Sequence, residues 1–443
     1  MPSLSTREPQ SRTALQSRPD GSGEPSYRVS AACLAVRNQE NAGWPRLLWL
    51  AVGIWATVLV VILIRSYLYP TRNTVYPIFA TAAREWGQGV DMYDLTIPRD
   101  HNERFRYAPI VAVALTPYTL LPDEVGGVIW RLFNLGICCA GAVAFTYCVF
   151  PGPARLNGKA AAVLALLVLP LSIGSINNAQ ANVLVVGCLL LAAAAVVQRR
   201  WTWSAAVLAV AILFKIYPLS VAGLLLLVRP RLGWRLGLAM AAGLLAPFCL
   251  GDPAYVTQSY ASWIGQLAAD HRHDWPMENS YRDFHVLTRA VGLSLPDAGY
   301  QALQLLMAAL AATAVVRGHV QRWSTARHAR AAFDLGCCWI VLFGPATENC
   351  TYALLAPTAA LATWEAFQDG QPVWKRLLMI AAAAVFLGTM LIMMLTPYGK
   401  YVSCVSMPLA GLLVLIERVL STLAPAADLT KSSRPVEALA PAA

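Results

Sequence analysis

The sequence predicts an all-α polytopic membrane protein, and three observations carry that reading. Of 443 residues, 57% are hydrophobic and 13% charged, about half the charge of an ordinary soluble domain. Residues 108–251 hold only two acids, Asp123 and Glu124. The apolar residues gather into runs near the roughly 20 residues a spanning helix needs. Mean hydropathy is +0.52, which excludes a soluble enzyme. The net charge of +10 comes without a lysine-rich run or an aromatic-basic stripe, so it fits helix-end anchoring rather than nucleic-acid binding. None of the ten cysteines is spaced C-x-x-C, and most sit in apolar runs as small buried hydrophobes.

Taken in chain order, residues 1–45 are rich in Ser, Arg, Pro, Gly and Gln without an apolar period, and predict a disordered cytoplasmic tail. A membrane domain over 46–420 follows, and 421–443 is a second such tail. The first apolar run, 47–64, lies too far from the start for a signal peptide and reads as an anchor. Further uninterrupted candidates are 125–149, 160–176, 181–197, 233–250, 300–316, 376–395 and 401–419. Three runs are interrupted: 108–121 by Pro117, 203–228 by Lys215 and Pro218, and 333–366 near Gly344 and Pro345. Ten to twelve crossings are expected.

The basic clusters at Arg199 and Arg200, Arg229 to Arg235, Arg317 to Arg330, and Lys375 and Arg376 can share the cytoplasmic face. This requires 203–228 to enter and return, turning at Lys215 to Pro218, and the short run 108–121 not to cross fully. The long polar loops 65–107 and 251–299 then lie outside, with the turns 177–182, 344–352 and 396–400. Four of the six histidines, His101, His271, His273 and His285, fall in these outer segments.

The first outer loop predicts a surface helix with Tyr76, Phe79 and Trp86 on one side and Arg84 and Glu85 on the other, stopped by Gly89 and Asp91. Here the sequence resembles glycosyltransferase family 87, multi-pass enzymes of the GT-C superfamily. The resemblance rests on an ordered series over about 70–360. It begins with the aromatic pair Tyr76 and Phe79, Gly89-x-Asp91-x-Tyr93-Asp94, Phe105-x-Tyr107-x-Pro109 and Trp130-x-x-x-Asn134. It continues with Asn177 to Asn182, which is similar to a Gly-Gln-x-Asn turn, then Lys215-x-x-Pro218, Asn279-x-Ser and Arg289. The resemblance implies a GT-C-like bundle and transfer of a hexose, plausibly mannose, from a polyprenyl phosphate. The family usually carries an aspartate just before the aromatic pair, thought to be the catalytic base. Residues 72–77 hold no acid.

The implied reaction needs a carboxylate to take the acceptor's hydroxyl proton and positive charge facing the phosphate. It requires no metal or other cofactor. Glu348 is the leading carboxylate because it interrupts two apolar runs, where an acid costs about 2.5–3.5 kcal/mol; its bland role is pairing with Lys215 or an arginine. Asp91 is second, with a helix-stopping turn as its bland role. Asp94, Glu85 and Asp283 read as solvated. Lys215 has no acid within thirty residues on either side and calls for an anion. Arg106, beside Tyr107, offers a guanidinium fork. Asn177, Gln180 and Asn182 present amides for sugar hydroxyls or cap the following helix. Tyr76, Asn279, Asn349 and His285 complete the candidate set. His271, His273 and Asp274 without a further ligand motif make weak metal ligands, and no metal site is assigned.

The function expected is a membrane glycosyltransferase in a bacterial-type plasma membrane, with its site facing outward. Its partners would be a polyprenyl-phosphate-linked sugar, a lipid or glycan acceptor and membrane lipids, with no nucleic acid. Alternatives are a lipid or solute transporter or flippase, since broken helices with intramembrane charge also build carriers, and a catalytically inactive scaffold.

Overall fold

The structure is a computed structural model that describes residues 46–94, 104–149, 158–269 and 275–424. The chain divides into Met1–Trp44, which lies outside the described residues, and Pro45–Ala443. The tail expected from 421 falls outside them too, except that the last helix runs on to Leu423. Among the described residues there are helices and turns and no strands.

Every uninterrupted run becomes a helix. Among the described residues, those long and apolar enough to cross a membrane number seven: α1 (Arg46–Leu68), α4 (Asp123–Val149), α5 (Gly158–Asn177), Pro230–Cys249 with α9 (Gly233–Leu245) at its centre, α12 (Asp297–Val320), α15 (Val373–Leu395) and α16 (Gly399–Leu423). The protein is a multi-pass membrane protein. Helix α6 (Asn182–Val197) has 16 residues, or about 24 Å, less than a bilayer core. It is buried on nearly every side, as suits the centre of a bundle rather than its rim.

The interrupted runs break where the sequence said. Run 108–121 becomes α3 (Pro109–Leu115) and a 3-10 turn, Thr116–Leu120. Run 203–228 becomes α7 (Trp201–Phe214) and α8 (Leu219–Val228). Run 333–366 becomes α13 (Thr325–Phe343), a 3-10 turn Asn349–Leu354 and α14 (Ala356–Ala366). In the loops lie α2 (Tyr76–Gln88), α10 (Pro253–Ala268) and α11 (Phe284–Ala290).

Hydrogen bonds between helices fix their directions. Trp55 Nε1 donates to the Ala165 carbonyl at 2.9 Å and Arg65 Nη1 to Asn177 Oδ1 at 3.3 Å, so α1 and α5 run together. Helices α4 and α6 also run together, from Trp130 Nε1 on the Ala179 carbonyl at 2.9 Å to Cys148 near the Ala194 carbonyl. Their close approach needs Gly141 and Gly187, because a Cβ on Gly141 would stand 2.4 Å from the Gly187 oxygen. Small residues of this kind are how helices associate where lipid gives no hydrophobic drive.

The α7–α8 pair enters and returns. Ser204 Oγ donates to the Ala192 carbonyl near the end of α6, while Tyr217 Oη reaches Asn182 Oδ1 at the start of α6. At the foot of α8, the Leu227 carbonyl meets His319 Nε2 at 2.9 Å and Arg229 reaches Thr325. Arg330 pairs with Glu365, and Arg376 donates to the Ala366 carbonyl. These contacts collect the basic clusters at one end of the bundle, the basic end, with the turns 177–182, 215–218 and 344–352 at the far end. Run 108–121 starts and finishes at the far end. Tyr107 lies by Lys215, and Tyr118 packs on Trp130 at 5.9 Å.

One expectation is corrected. The aromatic side of α2 does not lie on lipid: Tyr76, Phe79 and Trp86 are buried, and Phe79 packs on Phe105, Tyr107 and Trp130. Aromatic rings carry a large buried area, and here residues 104–107 and α4 supply a protein surface to cover it.

Candidate active site

Three chain breaks build the far end. In the turn 178–181, Ala179 takes φ +55°, and in 344–348 Ala346 takes φ +59°. A left-handed alanine costs about 1–2 kcal/mol and persists only where its surroundings over-determine it. At Ala179 the Trp130 indole binds its carbonyl and Gln180 N–H binds the Ser175 carbonyl. At 346–347, Thr347 Oγ1 donates to the Ile340 carbonyl and the Thr347 carbonyl accepts Arg282 N–H at 2.7 Å.

Glu348 caps the 3-10 turn Asn349–Leu354, its side chain accepting the Thr351 N–H while Thr351 Oγ1 accepts the Glu348 N–H at 3.0 Å. Its Oε2 also accepts Gln180 Nε2 at 2.9 Å. Gln180 Oε1 accepts Asn182 Nδ2 at 2.6 Å, and Asn182 Oδ1 accepts Tyr217 Oη at 2.6 Å. Asn182 therefore does not cap α6, which starts without a side-chain cap; it spans between helices instead.

Lys215 sits beside this chain. Its Nζ lies 5.9 Å from the Tyr107 ring and 5.5 Å from the Tyr217 ring, within reach of a cation–π attraction. Glu348, Cys350 and Arg106 all act on it electrostatically. Among the described residues the ammonium makes no ion pair within 4 Å, so the pairing of Lys215 with Glu348 is one of neighbourhood and not contact. Asn178 Nδ2 approaches Cys350 Sγ at 3.8 Å. Lys215, Glu348, Gln180, Asn182, Tyr107 and Arg106 thus share one place.

Other candidates stand apart from it. Asp91 holds its own turn: Oδ1 accepts Tyr93 N–H at 2.9 Å and Oδ2 accepts Ser262 Oγ at 2.6 Å. Asn177 accepts Arg65 on Oδ1 and Arg131 on its carbonyl. The Tyr76 hydroxyl is buried against Gly126 with no partner among the described residues, and burial pushes the phenol up to about 12. Asn349 and the buried Arg282 both reach Ser403 Oγ, at 3.4 and 3.2 Å. Asn279 is exposed, and the His285 ring lies tilted against Tyr300 at 4.8 Å.

Asp283 is a correction. Read as solvated, it is 0% exposed, because its Oδ1 caps α11 by accepting Val286 N–H at 3.1 Å. Burial pushes its carboxyl up to about 7 from the ordinary 3.8, against backbone hydrogen bonds and Arg282 that lower it. Among the described residues no group of three or more His, Cys, Asp or Glu could hold a metal; His271, His273 and Asp274 lie outside them, as does His101.

Sequence reasoning missed Tyr217, Arg131 and Arg282. Tyr217 lies inside the Lys215-x-x-Pro218 motif, but a tyrosine in an apolar run gives no sign of which partner its hydroxyl meets. Arg131 follows Trp130 in an apolar helix and is buried at 3% exposure. Its guanidinium is satisfied by the Gly127, Ile176 and Asn177 carbonyls and Thr74 Oγ1. A charge in such a helix was the available signal. Its bond to Thr74 ties α4 to the segment 72–77, which holds no acid.

The model of glycosyltransferase family 87 matches residues 105–345, more than half of the 443 residues. The chain belongs to glycosyltransferase family 87. The matched part of this family 87 chain holds Arg106, Tyr107, Asn177, Gln180, Asn182, Lys215, Asn279 and His285, whereas Tyr76, Asp91, Glu348 and Asn349 fall outside it. No curated protein matches the chain. A solved structure that is similar, ArnT from Cupriavidus metallidurans bound to undecaprenyl phosphate, has 14% sequence identity and a TM-score of 0.35. The alignment covers 83% of this chain and 77% of that one. No residue is carried over from it.

Proposed function

We propose that this membrane glycosyltransferase moves a hexose, plausibly mannose, from a polyprenyl phosphate to a lipid or glycan acceptor at the far end of the bundle. With the basic clusters on the cytoplasmic side, that end faces outward from a bacterial-type plasma membrane. The observation that supports the reading is the nearness of Lys215, Arg106 and Glu348 at the far end of the bundle, with a carboxylate held by Gln180.

In this reading the acceptor hydroxyl attacks the anomeric carbon and its proton passes to Glu348. The bond from that carbon to the phosphate oxygen breaks, and the lipid phosphate leaves against Lys215 and Arg106. A hydrogen-bonded carboxylate within reach of the acceptor hydroxyl can take its proton. Gln180 and Asn182, expected to bind sugar hydroxyls, are buried and bonded to each other, to Glu348 and to Tyr217, and hold the carboxylate instead. Asp91 is the less favoured base, because both of its oxygens are engaged in a turn and on Ser262.

The test is transfer in reconstituted vesicles from labelled polyprenyl-phosphate mannose. Glu348→Gln should lower kcat by about 10²–10⁴, the usual worth of a general base, while the variant still binds donor. Full activity would remove Glu348 from the mechanism, and donor binding without product in the wild type would make the chain an inactive scaffold.

A further inference from the structure

The bonds from Tyr217 to Glu348 have a direction. Tyr217 Oη donates to Asn182 Oδ1, Asn182 Nδ2 donates to Gln180 Oε1, and Gln180 Nε2 donates to Glu348 Oε2. Each link uses the only polarity left by the previous one. An ionised carboxylate can only accept, so Gln180 must turn its NH2 toward it. Gln180 then offers Oε1 to Asn182, and Asn182 offers Oδ1 to a hydroxyl. The three uncharged members are buried, with exposures of 5% for Tyr217, 6% for Gln180 and 0% for Asn182. A mispaired amide there is costly, so the arrangement behaves as a unit.

We propose that Tyr217 is a positioning residue that, through Asn182 and Gln180, keeps an N–H aimed at Glu348 and so sets the strength of that carboxylate as a base. The inference deepens the proposed function and rests on Glu348 being the base. Without the Tyr217 hydroxyl, Asn182 loses the donor that fixes its orientation. Its amide and that of Gln180 can then turn over, leaving an oxygen facing Glu348. Such a turn favours the protonated acid.

The other groups around Glu348 stay in place: Lys215 from the α7–α8 break, Arg106 and Tyr107 from the segment before α3, and Cys350 from the same turn. Their charges act alike in wild type and variant, so the difference reports the relay.

The experiment titrates Glu348 by infrared difference spectroscopy of the full-length protein in nanodiscs. The carboxylic C=O band of Glu348 is identified by its loss in Glu348→Gln, and kcat against pH is measured on the same samples with polyprenyl-phosphate mannose. Tyr217→Phe should move the Glu348 band and the acid limb of kcat upward by about one pH unit, the size expected from losing one donor to a carboxylate. KM should stay within about twofold, and activity should recover at high pH. Asn182→Leu, which is uncharged and can neither accept from Tyr217 nor donate to Gln180, should move the band the same way and guards against misfolding of the first variant. An unmoved band in both variants overturns the proposal. A moved band with an unmoved kcat limb shows that the relay exists but that Glu348 is not the base, which sinks the proposed function and with it the catalytic role of Tyr217.

Discussion

At the scale of single residues, the far end carries charged and amide groups that no lipid-facing surface would tolerate without partners. Glu348 is half cap and half candidate base. Its capping of the 3-10 turn orients the carboxylate, and Gln180 holds one oxygen. Asp283 shows the opposite arrangement, a carboxyl capping a helix in a place that disfavours its charge. Its folded-state value near 7 stands above the ordinary 3.8. The native state therefore holds the proton more tightly, and its contribution to stability is fully present below about pH 4 and lost as pH rises through 7. The span corresponds to stability on the order of 4 kcal/mol. Asp283→Asn keeps the cap and should flatten the fall in melting temperature between pH 5 and 8, measured by thermal unfolding in detergent. A fall as steep as that of the wild type would show that Asp283 is not its source. Lys215 and Glu348 were legible as candidates because charge stands out in apolar runs. Asp283 was misread because a polar loop gives no sign of its depth, and the Tyr217 relay was hidden because a tyrosine in an apolar run is ordinary.

At the scale of elements, the breaks matter more than the helices. Pro218 and the unwound Lys215 stop α7 and start α8, and the pair re-enters because α6, α9 and α13 flank it. Leu213 of α7 lies against Gly243 of α9, and Val221 of α8 against Gly336 of α13. A proline removes a helical hydrogen bond, and in a membrane the freed backbone must find partners inside the protein; Tyr217 and Ser220 sit where those partners are. The topology is checked by cysteine labelling in a cysteine-free background. Arg200→Cys and Arg231→Cys should react with impermeant reagent from the same side and Ile216→Cys from the other. Labelling of 200 and 231 from opposite faces would mean that α7 and α8 form one crossing. The re-entrant pair was legible because placing the basic clusters on one face required 203–228 to enter and return. The buried face of α2 was not, since an aromatic stripe reads alike whether lipid or protein covers it.

At the scale of the whole molecule, the basic end is locked by charge. Arg418 reaches Asp334 at 3.3 Å, Glu365 at 3.2 Å and Glu417, while Arg330 pairs with Glu365 and Asp334. This network joins α13, α14 and α16, and Glu417 is fully buried. Replacing Arg418 leaves the buried Glu417 without its cation, at a cost of about 3–5 kcal/mol. Arg418→Met should therefore lower the melting temperature markedly at neutral pH, and an unchanged value would mean that the network adds nothing. The order of helices and the gathering of the basic clusters were legible in hydropathy and charge. This network was not, because its members are far apart in sequence and each reads alone as a helix-end charge. One end is thereby rigid and basic, while the other holds the turns, the amides and the half-buried lysine.

The claim on which the account turns is that a lipid phosphate seats at Lys215 beneath those turns. Photo-crosslinking with a polyprenyl phosphate bearing a diazirine near its phosphate, followed by peptide mapping, tests it most directly. The account predicts labelled peptides from 104–107, 214–218 and 346–352, with labelling lost in Lys215→Ala. Labelling confined to the basic end, or unchanged by Lys215→Ala, would contradict it.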